Sequence, residues 1–85
     1  IDKPVEVCAL FYLTRPKSHY RKNGELNTNA VKWHNRKPDV DKLVRTLLDA
    51  IAGVAFYDDN QVAVIRAYKE YSNRPGVYVT VRILE

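Results

Sequence analysis

The chain has 85 residues, enough for one domain and too few for two separate cores. Its single cysteine, Cys8, excludes an internal disulfide, and the absence of an apolar run of about 18 to 20 residues excludes a membrane-spanning helix. The 14 Lys and Arg against 10 Asp and Glu give a net charge of +4, and the excess is concentrated in residues 15–37.

The first predicted element is a strand over residues 5–13, VEVCALFYL. Only Glu6 is charged in it, which indicates a strand buried on much of both faces. Cys8 is accordingly predicted to be a buried, inert thiol. A lone cysteine of this kind fits a reducing, intracellular setting best.

Residues 17–37 form the basic segment and show no sustained periodicity. A stretch this long without a regular element predicts a functional or mobile loop, part of which can be helical or hairpin-like around Asn23-Gly24. The rings of His19, Tyr20, Trp33 and His34 lie among its cations. Such a segment can follow a phosphate backbone and stack on bases, but a solvated loop is an equally good interpretation.

A helix is predicted to begin at Pro38-Asp39 and to end before Gly53. Apolar residues recur through it at three- and four-residue spacing: Val40, Leu43, Val44, Leu47, Leu48 and Ile51. Strands are then predicted over residues 61–71 and 77–84, joined by a turn at 72–76. The predicted fold class is α+β, a small mixed sheet with one principal helix packed on one face and a C-terminal β-hairpin.

Five aspartates surround the predicted helix: Asp39, Asp41, Asp49, Asp58 and Asp59. Singly they have structural interpretations, since Asp39 can cap the helix, Asp41 can favour its dipole and Asp58-Asp59-Asn60 is an ordinary turn. If the chain doubles back along the helix, however, the carboxylates converge, and they would then require a hard cation such as Mg²⁺. Such an ion supplies an activated water and stabilises phosphate charge, which suggests phosphodiester hydrolysis.

Three cations lie near these acids in the sequence. Arg45 follows Asp41 by four residues, so it makes either a surface ion pair of roughly 0.3 to 0.5 kcal/mol or a contact with a phosphate oxygen. Lys42 and Lys69 point either to DNA or to solvent. Neither His19 nor His34 has the spacing of a zinc site.

The segments KPDVDKLVRTLLDAIAGVAFYDDNQV and KEYSNRPGVYVTVRI resemble the RusA family of Holliday junction resolvases. The resemblance consists of an Asp-x-Asp at a helix start, a basic residue four positions after the second Asp, an Asp and a Gly later in the helix, an Asp-Asp-x-Gln-Val segment and a Lys in the next strand. The front segment VEVCALFYLTRPKS is similar to the family's strand and basic loop.

This resemblance implies a homodimeric endonuclease of recombination and repair that nicks four-way DNA junctions and depends on Mg²⁺, with Mn²⁺ as an alternative ion. It implies a cytoplasmic setting in a bacterium, often one with a prophage, or in a phage-infected cell. Asp39, Asp41 and Asp59 match the metal-binding carboxylates, and Asp58 an accessory acid. Arg45 takes the place of the catalytic lysine, while Asp49 is structural.

On this interpretation, the basic residues bind DNA: Arg15, Lys17, Arg21, Lys22, Lys32, Arg36, Lys37, Lys42 and Lys69. The residues 1–85 are expected to form one nuclease domain without the earlier strand and the Pro/Arg-rich stretch usual in the family. Two alternatives stay open. One is a junction-binding module without catalysis, and the other is an interaction domain whose acids are only caps and turns.

Overall fold

A computed structural model describes residues 3–84 of the chain. It contains three strands, β1 (Val5–Leu13), β2 (Val62–Tyr71) and β3 (Gly76–Ile83), and one helix, α1 (Val40–Ile51). Two single 3₁₀ turns lie at Lys17–His19 and Asp59–Gln61. Within this described range, none of the helices has the length and apolar character needed to cross a membrane.

The strands form one mixed sheet in the order β2-β1-β3. β1 runs parallel to β2, from Val5 opposite Val62 to Leu13 opposite Tyr71, and antiparallel to β3. The predicted α+β class is confirmed. The two C-terminal strands follow one another through the predicted turn, but both take their hydrogen bonds from β1, which lies between them. β1 is paired along both edges, and it is the most apolar of the three strands, as is usual for a buried central strand.

Only one face of the sheet is covered by the helix. On that face β1 contributes Val5, Val7, Ala9 and Phe11, all buried, while its alternate residues are half-buried. The predicted burial of both faces is therefore correct for one face only, because a single helix covers a single face. Cys8 lies on the other face and is half-buried instead of buried.

The direction of α1 relative to the sheet decides where the acids lie. Val40, at the start of α1, lies beside Lys69 near the end of β2. Ile51, at the end of α1, packs against the core cluster that contains Val5. Val62, at the start of β2, packs against the same cluster. The helix therefore runs antiparallel to β2. We name the region around the helix start the Asp39 end and the region around the start of β2 the Asp59 end.

The long basic segment is ordered by local contacts. Tyr20 and Leu26 form a β-bridge around a tight turn in which Gly24 has a φ of 89°. Further along, the segment runs beside β2, where the His34 amide donates to the Lys69 carbonyl at 3.0 Å. The edge of β2 offers unpaired backbone groups, and this pairing satisfies some of them.

Candidate active site

At the Asp39 end, two carboxylates are exposed and have no structural task. Asp39 occupies the helix N-cap, but its side chain accepts no capping hydrogen bond. The predicted position is therefore correct and the predicted bond is absent. Lys69 fixes the approach to the helix instead, because its Nζ donates to the carbonyls of Arg36 at 2.9 Å and Pro38 at 3.0 Å. The carboxylates of Asp39 and Asp41 stay available for other ligands.

At the Asp59 end, the turn is built by two of its polar residues. Asp58 accepts a hydrogen bond from the Asn60 amide at 3.2 Å. Gln61 accepts from the amides of Tyr57 at 2.7 Å and Asp58 at 2.9 Å, and its Nε2 donates to a carbonyl at 2.9 Å near the start of the described chain. Among residues 3–84, Asp59 has no such bond. The Asp-Asp-x-Gln pattern thus combines two turn-forming residues with one available carboxylate.

The role of Gln61 was not recognised in the sequence. A signal for it was present, because Asp58 and Gln61 have the spacing of a capping box, in which a side chain at each end bonds to the backbone at the other. The predicted accessory role of Asp58 in metal binding stays a prediction. The structure gives its carboxylate a task in the turn.

The two acidic ends do not meet within one chain. The 12 residues of α1 span about 18 Å, and the seven steps from Val62 to Lys69 span about 23 Å. In agreement, no group of three or more Asp, Glu, His or Cys side chains converges anywhere in residues 3–84. The predicted convergence within a single chain is therefore wrong, because the chain enters β2 at the far end of the helix. One chain alone does not fit a three-carboxylate Mg²⁺ site.

Arg45 lies one turn after Asp41 and is exposed. The ion pairs of the described residues involve Glu70 and Glu6, and Arg45 takes part in none of them. The surface ion pair with Asp41 is therefore absent, and the guanidinium is free to bind an anion. Asp49 and Lys42 are also exposed on α1.

Arg15 and two rings of the basic segment that were predicted to stack on bases pack around the buried ring of Tyr71. The Arg15 guanidinium lies 5.0 Å from the ring centroid, and the rings of His19 and His34 lie at 4.8 Å and 4.9 Å. These two histidines are thus part of an internal cluster, and we do not expect bases to stack on them. Burial, and secondarily the charge of Lys69, lowers the pKa of His34 below its usual value.

The rings that are open to a base lie further along the segment and on β2. Trp33 is 51% exposed and lies 6.2 Å from Tyr68, with the Lys32 Nζ 4.7 Å from its ring centroid. Tyr20 is also exposed. Tyr68 was not singled out in the sequence, since nothing there indicates that β2 lies beside Trp33.

The other predicted DNA ligands lie on the surface of the basic segment. Arg36 and Lys37 are exposed just before the helix. Lys17 lies in the first 3₁₀ turn, and Arg21 and Lys22 belong to the tight turn at Gly24. Lys69 differs from them because its ammonium group already bonds to two carbonyls. Its predicted DNA contact remains untested.

Comparison with known proteins places these features in a family. The family described as Endodeoxyribonuclease RusA matches residues 1–82, a range that includes both acidic ends and the basic segment. The chain is 33% identical over 84 residues to a Bacillus subtilis (strain 168) protein titled "Uncharacterized protein YqaN". That alignment covers 96% of this chain and 59% of the relative, so the chain spans about three fifths of the relative's length. No solved structure matches it. The chain belongs to the RusA endodeoxyribonuclease family.

Proposed function

We propose that this protein is an endonuclease that cuts the phosphodiester backbone of four-way DNA junctions as a homodimer. Membership of the family supports cleavage of DNA. The observation that carries the proposal is the division of labour at the two acidic ends. Lys69 and Gln61 hold the backbone there, and this leaves the exposed carboxylates of Asp39, Asp41 and Asp59 for a ligand.

The distance between these ends makes a second chain part of the proposal. When two copies of α1 pack antiparallel about a twofold axis, the Asp39 end of one protomer lies beside the Asp59 end of its partner. Each dimer then has two composite sites. Two sites related by a twofold axis suit a substrate that must be cut symmetrically on two strands.

An apolar groove beside α1 supports this arrangement. It measures about 300 Å³ and is lined by Leu43, Leu47 and Ala50 of the helix together with Phe11 and Val77 of the sheet. The three helix positions follow one another by four and three residues, which is the spacing that packs against another helix. Val77 is 51% exposed, so the groove is open to a partner.

In the composite site, the carboxylates of Asp39 and Asp41 from one protomer face that of Asp59 from the other. These three carboxylates would hold Mg²⁺ or Mn²⁺, and the ion would supply an acidified water and offset charge on the phosphate. Arg45, one turn beyond Asp41, binds a non-bridging phosphate oxygen.

A junction-binding module without catalysis is the second candidate. It is favoured by the absence of a three-carboxylate group among residues 3–84 of one chain and by Arg45, which cannot exchange a proton at neutral pH as a lysine can. The interaction-domain alternative has less support. Asp58 is a turn residue as that alternative requires, but Asp39 makes no capping bond.

Complementation between two inactive variants tests the composite site. Asp41→Asn and Asp59→Asn are purified separately, and a labelled four-way junction is incubated with each, and with their mixture, in Mg²⁺. Each variant alone fails to nick. Random pairing in an equal mixture gives about half heterodimers with one intact site each, so we expect about a quarter of wild-type nicking. Asp49→Asn, the matched control on the same helix, keeps full activity.

The outcomes separate the candidates. If the mixture stays inactive although each homodimer binds the junction, the carboxylates do not combine across protomers. If the wild-type protein binds the junction but does not nick it in Mg²⁺ or Mn²⁺, the binding module is correct. A wild-type protein that neither binds nor nicks contradicts both functions.

A further inference from the structure

A cavity of about 580 Å³ lies beside Tyr71, between residues 14–18 and residues 34–37, which precede the helix. We name it the Arg15 pocket. The residues that line it include Arg15, Ser18, His34, Arg36, Lys37 and Tyr71. None of the aspartates of the two acidic ends lines it.

The charge of the pocket is uncompensated. Arg15, Arg36 and Lys37 bring three cations to one cavity, and no Asp or Glu lines it. None of the three takes part in an ion pair among residues 3–84. Like charges gathered around a cavity repel one another, and a bound anion removes this repulsion.

One of these cations is held in place before any ligand arrives. Arg15 donates from Nη1 to the Val31 carbonyl at 2.8 Å and to the Nδ1 of His19 at 3.3 Å, and its guanidinium stacks over Tyr71. No bond from Arg15 Nη2 or Nε is found within the described chain. A guanidinium fixed in this way loses little entropy when its remaining donors bind a phosphate.

One residue that lines the pocket, His34, also has a polar atom without a partner. His34 Nδ1 is buried and has no hydrogen-bond partner within residues 3–84. Buried polar atoms in folded proteins nearly always have a partner, so an orphaned one indicates a missing ligand or water. Because His34 lines the cavity together with three cationic residues and Ser18, the lining suits an oxygen-bearing anion.

The pocket is close to the Asp39 end along the chain. Lys37 is two residues before Asp39, and two peptide units reach at most about 7.6 Å, so the Cα atoms of Lys37 and Asp39 lie within that distance. Successive phosphates of a DNA strand are separated by about 3.4 Å along the helix axis. A strand with one phosphate near Asp39 therefore has another within a few nucleotides at the pocket.

We propose that the Arg15 pocket binds one backbone phosphate of the DNA strand that passes the Asp39 end, and that this contact fixes which phosphodiester lies at the carboxylates. The inference rests on the proposed function, since it assigns the pocket a place on the same substrate. Arg36, Lys37 and His34 are positioning residues here. They hold a phosphate that does not react.

The test pairs protein variants with DNA in which one phosphate at a time is a neutral methylphosphonate. Binding of the four-way junction is measured by fluorescence anisotropy without divalent metal, so that the readout does not depend on catalysis. Arg36→Ala should weaken binding about 5- to 20-fold and lower the salt dependence of log Kd by about one. Arg66→Ala, the matched control, removes an arginine that pairs with Glu6 at 3.4 Å on the opposite sheet face and should change binding less than twofold.

A coupled phosphate is the decisive result. We expect one methylphosphonate, within a few nucleotides of the cut, to weaken wild-type binding by the same factor as Arg36→Ala and to leave the variant nearly unaffected. Lys37→Ala should couple to the same position. In Mg²⁺, Arg36→Ala should raise KM more than it lowers kcat and should spread the cuts over neighbouring positions.

Three results would overturn the inference. Methylphosphonates that weaken wild-type and Arg36→Ala binding equally at every position would exclude a dedicated phosphate. A loss in Arg66→Ala as large as that in Arg36→Ala would show only a diffuse charge effect. Absence of junction binding in the wild-type protein would remove the proposed function together with the pocket, and this outcome differs from the first two because binding itself is missing.

Discussion

The two acid-bearing ends of the molecule hold their backbone in different ways. At the Asp39 end, a cation on β2 bonds to the carbonyls before the helix, and no carboxylate takes part. At the Asp59 end, an acid and an amide inside the turn do this work, and only the second acid of the pair remains available. A carboxylate can serve a ligand only where another group satisfies the backbone, and each end meets this requirement with different residues.

Among these predictions, replacing the second acid of the turn should change junction nicking most, and replacing the first should change it much less. We expect Asp59→Asn to lower the nicking of a four-way junction by more than about 100-fold, because it removes a charged ligand, while the free energy of unfolding changes by less than about 0.5 kcal/mol. Asp58→Asn should lower nicking by less than about tenfold, since an Asn side chain caps a helix as well as an Asp side chain does. Single-turnover nicking and urea unfolding measure the two quantities. Equal losses of activity in the two variants would contradict the division of roles in the turn.

Removing the Gln61 side chain from the turn should lower the free energy of unfolding more than replacing either of the turn's aspartates. Gln61→Ala takes away a side chain that bonds to two amides and one carbonyl, and we expect a loss of about 1 to 3 kcal/mol in the free energy of unfolding. Urea denaturation followed by circular dichroism provides the measurement. Asn60→Ala, whose backbone amide still donates to Asp58, is the control and should lose less than about 0.5 kcal/mol. A Gln61→Ala protein as stable as the control would mean that the turn does not need this side chain.

The bounds of the main elements are predictable because they depend on local sequence patterns. The bounds of β1 follow from an apolar run in which only Glu6 is charged, and those of α1 follow from the spacing of Val40 to Ile51 and the stop at Gly53, whose φ is 84°. The order of the strands is not predictable in this way. It depends on which partners β1 acquires on its two edges, and that choice involves residues more than 50 positions away in the sequence.

In the candidate site, too, some features follow from local sequence and others depend on the tertiary structure. The identity of the acids, and the position of Asp39 at the helix cap, follow from the sequence. Their failure to converge does not, because β2 pairs parallel to β1 and this places Asp59 at the far end of the helix. The work of Lys69 was also missed, since a lysine in a strand gives no signal that its ammonium reaches carbonyls more than 30 residues earlier.

Lys69 bonds to the backbone at the Asp39 end, as Gln61 does at the Asp59 end. Lys69→Met keeps the aliphatic stem but removes both bonds to carbonyls, and we expect a loss of about 1 kcal/mol, since these carbonyls are exposed and water replaces part of the interaction. Junction nicking should also fall, because the segment before Asp39 loses its anchor. Lys42→Met on the exposed side of α1 is the control for stability. Unfolding curves of the two variants that coincide would show that the anchor contributes nothing.

The smallest expected effect is electrostatic and concerns His34, which lies between the Arg15 pocket and Lys69. Burial and the charge of Lys69 lower the pKa of His34 in the folded protein, whereas in the unfolded chain it returns to about 6.5. Between these two values the unfolded chain binds more protons than the folded one. Stability should therefore be fully present above pH 6.5 and should fall as the pH drops through the lowered pKa.

Urea unfolding between pH 5 and 7.5 measures this dependence as the difference between the wild-type protein and His34→Gln. The slope should stay well below about 1.4 kcal/mol per pH unit, the value for one whole proton, because only part of a proton is involved. In Lys69→Met the pKa of His34, followed by NMR, should rise towards its usual value, since the cation that opposes protonation is gone. An unchanged pKa in that variant would place the ammonium group away from His34 and would break the account of how the Asp39 end is held.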